Sequence, residues 1–336
     1  MHFKRSFVGK PTARSAAYGL LFALSSASLV VNAQAIEHLT LGGPGAVVSY
    51  PLMHMVETGA LSAHAKEVQF RLWESHDQLS ALLTQNKLDY TAAPSTLPAL
   101  LFNKGQNTRM LSISVWGLVW LVSTDPKLKS FEGLKGQELT TPFQHDLGEV
   151  LIDTLLANQR KEGDAAVQMR RTRTGQDAIA LMLSGNAQHT VLAEPMVSIL
   201  LWRNQQQAKP VPLYRVQSLE TAWSQQFPQQ PLLPQAGLMA NASVADNRAL
   251  NQAVEKAYAT SAIWCKANAL KCAQIAHKYL PQMPVQAIQD AIEVTRLDSQ
   301  AATTVRPQLE ALYGLLQAKH PKVIGNRLPD VKFYGP

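Results

Sequence analysis

From residue 36 onward, short apolar runs alternate with segments whose apolar residues recur at helical spacing, the pattern of successive strand–helix units around a parallel sheet. "HLTLGG", "VQFRLW" and "LDYTAAP" read as strands. Leu52, Met55 and Val56 mark the buried face of a first helix, "HDQLSALLTQNK" a second, and "STLPALLFNKG" a third that closes at Gly105. "TRMLSISVWGLVWLVS" reads as one or two strands. The alternation resumes with strand "QELTTPF", helix 147–161, strand "VQMRRT", helix "GQDAIALMLSG", strand "HTVLAEP" and helix "MVSILLWRNQ". Two α/β lobes are expected.

Residues 205–235 interrupt the pattern with Gln- and Pro-rich text, suited to loops and an irregular crossing. "QAGLMA" then reads as a short strand. Beyond it the chain is nearly all helical, through "LNQAVEKAYATSAIW", "CAQIAHKYL", "VQAIQDAIEV" and "VRPQLEALYGLLQAK", and these helices are expected to pack back on the first lobe. A strand over Trp116 to Ser123, a loop from Asp125 to Gly136 and a new strand "ELTTPF" describe a crossover into the second lobe. Ligands of open α/β sheets sit beyond the carboxyl ends of strands, which directs attention to "TTPFQHD" and its counterparts.

Composition supports a large folded core: 46% of the 336 residues are hydrophobic and 16% charged. The first 35 residues differ in kind. Lys4, Arg5, Lys10 and Arg14 precede the apolar run "SAAYGLLFALSSASLVV", which ends in Ala33-Gln34-Ala35, the layout of a cleavable secretory signal. Cleavage before Ile36 reduces the formal net charge from +7 to +3, because that segment carries four positive charges and no negative one. The Sec and Tat export routes both remain open. The mature chain has no Lys/Arg stripe interleaved with aromatics, so no nucleic-acid partner is expected; "MRRTR" reads as a solvated strand edge. In an oxidising compartment Cys265 and Cys272 are expected to form a disulfide. Seven positions on one straight helix are about 10 Å apart, so Asn268 would have to break it. Free buried thiols and a metal pair are the alternatives.

The chain resembles the substrate-binding proteins of ABC importers of the nitrate, sulfonate and taurine type, which include binders of a thiamine pyrimidine precursor. The resemblance is carried by "WESHDQLSALLTQNKLDYTAAPSTLPALL", "STDPKLKSFEGLKGQELTTPFQHDLGEVL", "TGQDAIALMLSGNAQHTVLAEPMVSILL" and "PQAGLMA", in that order, and spans nearly the whole mature chain. It implies a type II periplasmic-binding-protein fold of two α/β lobes joined by two hinge strands. The first lobe would comprise 36–117 and the mostly helical 239–336, the second 118–238, with residues 1–35 as signal. It further implies a monomeric periplasmic protein, not an enzyme, that delivers a small-molecule ligand to an ABC permease without a cofactor.

Three helix starts are expected to face the cleft. Ser49, Tyr50 and Pro51 open the first, Pro94, Ser95 and Thr96 the next, and Asp146 with Glu149 forms a D-x-x-E variant of the capping box in the second lobe. Helix N-termini hold anions without Lys or Arg, but Asp146 and Glu149 compete there. The ligand loop carries "TTPFQHD" in place of a Gly- or Ser-rich version, and few cations stand at strand ends. The ligand is therefore expected to be a neutral or amphipathic organic molecule, with an aromatic compound, a sulfonate or a nitrate-like anion as the other classes. Trp116, Phe143 and Tyr50 would supply flat walls, with core packing as the competing role for Trp116. Glu194 would accept hydrogen bonds, with a hinge salt bridge as its competing role. Gln144, Gln235 and Thr141 complete the set, together with Pro44 in the "GGPG" loop that brings backbone close to the ligand. His54, Glu57 and His64 are expected at the surface, and no metal site is expected. No G-x-S-x-G, H-E-x-x-H, P-loop or Cys-x-x-Cys occurs. An enzyme on the same fold and a ligand-sensing subunit remain as alternative functions.

Overall fold

The apolar strands assemble into two separate sheets. A computed structural model describes residues 36–336; the expected signal segment, 1–35, lies outside the described residues. The first sheet contains β1 (Ile36–Gly43), β2 (Ala65–Leu72), β3 (Tyr90–Pro94), β4 (Arg109–Val115), β10 (Ala236–Ala240) and β11 (Leu297–Ala301), in the order β11-β4-β10-β3-β1-β2. The second contains β5 (Val119–Ser123), β6 (Glu138–Thr141), β7 (Gln168–Arg171), β8 (His189–Ala193) and β9 (Tyr214–Ser218), in the order β7-β6-β8-β5-β9. In each sheet the βαβ strands run parallel. The strand that arrives from the other lobe, β10 in the first sheet and β5 in the second, inserts antiparallel. The two lobes thus repeat one topology, with each chain crossing feeding a central strand of the next sheet.

Buried apolar faces place the helices. α1 (Tyr50–Glu57), α2 (His76–Thr84) and α3 (Thr96–Asn103) belong to the first lobe. α4 (Leu147–Gln159), α5 (Gly175–Leu183), α6 (Met196–Gln205) and α7 (Leu219–Gln226) belong to the second. α8 (Arg248–Ala267), α9 (Ala269–Tyr279), α10 (Val285–Val294) and α11 (Arg306–Lys319) follow, and α8 and α9 pack on α1. α10 also reaches across to α6, so the lobes touch on that side. Lys266 holds the end of α10 by donating from its ammonium to the carbonyls of Ile292, Glu293 and Thr295. Cys265 and Cys272 are joined by a disulfide with Cα atoms 5.0 Å apart; Asn268, at φ −129° and ψ 52°, ends α8 and starts α9.

Three elements depart from the sequence expectation. The Gln-rich stretch contains β9 and α7, the latter capped by Ser218, whose Oγ accepts from the Thr221 N–H. The C-terminal region contains β11, an edge strand on β4. His54, expected at the surface, is buried: its ring stacks on Trp264 at 4.1 Å and its Nδ1 lies 2.9 Å from Ser261 Oγ. Burial lowers its pKa from the ordinary 6.5, keeping the imidazole neutral. Among the described residues no helix is long and apolar enough to cross a membrane.

Candidate functional site

The carboxyl ends of parallel strands from both sheets converge on one cavity of about 810 Å³. Pro44 follows β1, Pro94 ends β3, Phe143 follows β6 and Ala193 ends β8; all four line it. The hinge segments contribute Leu118, Gln235 and Ala236. Val48, Leu97, Leu100, Leu147, Val150 and Leu151 make most of the remaining wall apolar.

Backbone hydrogen bonds fix the hinge beside it. Gln235 donates its N–H to Val115 O and accepts from Ser95 N–H, while its side-chain Oε1 accepts from Leu118 N–H at 3.1 Å. Gln235 thus ties both crossings to the start of α3. Arg296 of the first lobe pairs with Glu220 of the second at 3.1 Å, and its guanidinium lies 5.5 Å from the Trp116 ring centroid.

The N-terminus of α4 forms the second-lobe wall. Asp146 accepts from Glu149 N–H at 2.9 Å, and Glu149 reaches back to the N–H of His145 rather than to that of the cap residue, one position off the reciprocal capping box. The Glu149 carboxylate also pairs with Arg171. Both negative charges at this helix end are therefore engaged within their own lobe.

Of the residues singled out from sequence, Pro44, Pro94, Thr96, Phe143, Asp146 and Gln235 meet at the cavity. The others do not line it. Ser49 and Tyr50 are fully buried, and neither hydroxyl has a hydrogen-bond partner among the described residues. Burial and the charge of Glu194 push the Tyr50 phenol well above its ordinary pKa of 10. Ser95 donates its hydroxyl to Pro234 O, and its carbonyl accepts from Tyr313. Thr141 Oγ1 accepts from Phe143 N–H, and Gln144 donates to the carbonyl of Thr172, the residue that follows β7. Trp116 is fully buried in the hinge, donating its indole N–H to Asp298 O at 2.8 Å. Glu194 is buried with both oxygens occupied by Arg215 and Ser198. For Trp116 and Glu194 the structure shows the competing roles, core packing and a salt bridge.

Sequence reasoning missed Lys319, His320, Lys322 and Val323, which line the cavity from the end of α11 and the 3-10 turn Pro321–Ile324. The one local signal was the His320-Pro321 helix stop. Among the described residues no group of three or more His, Cys, Asp or Glu side chains could hold a metal ion.

No protein-family model matches the chain, and no curated protein matches it. Solved structures do. An ABC transporter protein from Parabacteroides distasonis superposes with a TM-score of 0.74 at 19% identity, covering 89% of this chain and 98% of that one. The fold is the two-lobed type II periplasmic-binding fold. The periplasmic aliphatic sulphonate-binding protein SsuA from Escherichia coli gives a TM-score of 0.64 at 14% identity, covering 89% and 92%. The periplasmic nitrate-binding protein NrtA from Synechocystis PCC 6803 gives 0.60 at 14% identity, covering 86% and 84%. The structural neighbours are thus periplasmic binding proteins of ABC import systems of the sulfonate and nitrate type.

Proposed function

We propose that the chain is an exported periplasmic solute-binding protein that captures a small organic molecule between its lobes and delivers it to an ABC import permease. The observation that carries this reading is the cavity of about 810 Å³ onto which strand ends of both lobes and both hinge crossings converge. Closure of such lobes buries a ligand, and the closed form is what a permease can recognise. Binding is favoured over acid–base catalysis because the carboxylates at the cavity are engaged: Asp146 caps α4 and Glu149 pairs with Arg171.

A thermal-shift screen of the mature protein against sulfonates, carboxylates, nitrate, pyrimidines and aromatic acids tests the reading. A true ligand at one hundred times its Kd adds about 2.7 kcal/mol of stability. Ala193→Phe, which fills the cavity from the end of β8, should abolish the shift while the protein stays folded. A hit unaffected by that substitution would place binding elsewhere.

A further inference from the structure

Resting on the lobe closure of the proposed function, we propose that the cavity carries an electrostatic latch: Lys319 and Lys322 of the first lobe are drawn towards the acidic start of α4 in the second, and this attraction biases the ligand-free protein towards its closed form. Both lips line the same cavity, with Lys319, His320 and Lys322 on one and Asp146 and Glu149 on the other. Asp153 stands one helical turn beyond Glu149 on α4. Burial and the Glu149 charge raise the pKa of its carboxyl, whereas the charges of Arg171 and His320 lower it, which puts the end of α11 within electrostatic reach of α4.

The two lips carry opposite charge. With histidine counted as neutral, three carboxylates on the second lobe, Asp146, Glu149 and Asp153, stand against one guanidinium, that of Arg171 paired with Glu149, which leaves a formal charge of −2. Lys319 and Lys322 supply +2. Both lysines are exposed residues that also line the cavity, which puts them at its rim. Neither ammonium has an ion pair among the described residues, so both are available when the lobes approach. Each lip is fastened to its own lobe. Asn103 donates to the carbonyls of Ile324 and Arg327 at 2.6 Å, and the Tyr313 hydroxyl donates to Ser95 O at 2.7 Å. On the other side Asp146 caps α4 and Glu149 is held by Arg171. Approach of one lip to the other is therefore movement of the lobes. Salt is the lever on it, because the screening length falls from about 30 Å at 0.01 M to about 3 Å at 1 M.

Pulsed dipolar distances between spin labels at Lys104→Cys and Arg160→Cys, exposed positions on the two lobes, test the inference on ligand-free protein in about 0.01 M and about 1 M NaCl. With the lips intact, the ratio of short to long distances should fall roughly two- to fivefold as salt rises, the range that exposed ion pairs support. Lys319→Gln/Lys322→Gln should begin at the high-salt ratio and lose the salt dependence. Lys319→Glu/Lys322→Glu should invert it, the lobes closing as salt screens the new repulsion. Both pairs of substitutions replace exposed side chains, so urea midpoints should stay at the wild-type value. A salt-independent ratio with the lips intact, or one salt response shared by the neutral and reversed variants, would overturn the inference. The thermal-shift screen decides solute binding separately. A hit together with salt-independent distances removes the latch and leaves that reading standing, whereas a salt-driven swing with no hit keeps the latch and removes solute binding.

Discussion

Arg215 Nη2 lies 2.7 Å from the Oε1 atom of Glu194, whose side chain is 0% exposed, at the point where β8 ends beside the hinge. The Ser198 N–H and hydroxyl donate to the other oxygen. A buried carboxylate with this many donors is a structural group, and removing it strands a guanidinium that is itself only 20% exposed. Glu194→Ala should destabilise the protein by about 3 kcal/mol. The double replacement Glu194→Leu/Arg215→Met should recover most of that loss, because no charge is then left unpaired. Urea denaturation of the three proteins checks it; equal losses in single and double variants would contradict the assignment.

Trp116 fills the hinge rather than the cavity, with its indole N–H satisfied by Asp298 O and Arg296 over its ring. Trp116→Ala should cost about 4 kcal/mol through the void it leaves. Wild-type stability after this substitution would place the ring outside the core.

The disulfide closes a short loop across the break at Asn268. Cys265→Ala/Cys272→Ala should lower stability by about 2–3 kcal/mol in the chain-entropy description of so short a loop. Ligand affinity should not change, because neither cysteine lines the cavity. Paired denaturation and titration separate the two effects.

Glu255 on α8 has its carboxyl pushed up to about 7 by burial. The folded protein then holds this proton more tightly than the unfolded chain, whose carboxyl titrates near 4.5. Stability contributed by the protonated form is lost as pH rises from about 4.5 to about 7. Glu255→Gln should therefore gain about 1 kcal/mol at pH 7.5, after discounting for partial exposure, and little at pH 4.5. Denaturation midpoints of both proteins across that range provide the check; a gain independent of pH would contradict the assignment.

Much of the fold was legible because periodicity and caps agree. α6 occupies the residues read as "MVSILLWRNQ", and Gly105, at φ +90°, follows α3 where a helix stop was expected. β11 was not legible: beyond Leu297 its Asp-Ser-Gln-Ala text has no β-branched or aromatic residue, and only pairing with β4 makes it a strand. At the site, strand ends and helix starts pointed to Pro44, Pro94, Thr96, Phe143 and Asp146, because that placement follows from α/β topology. Trp116 and Glu194 were ambiguous because an apolar wall and an apolar core, or a ligand acceptor and a buried ion pair, use the same residue types. Lys319 and Lys322 left no mark in the local pattern. Their place at the rim depends on how α11 docks on α3, information held in contacts such as Tyr313 to Ser95, 218 residues apart.

Spin labels at Lys104→Cys in the first lobe and Arg160→Cys in the second, both exposed positions, test the two-lobe account most directly. Pulsed dipolar spectroscopy should show a broad distribution of distances without ligand, collapsing to one short distance when a hit from the thermal-shift screen is added. A single narrow distance that no compound alters would contradict it.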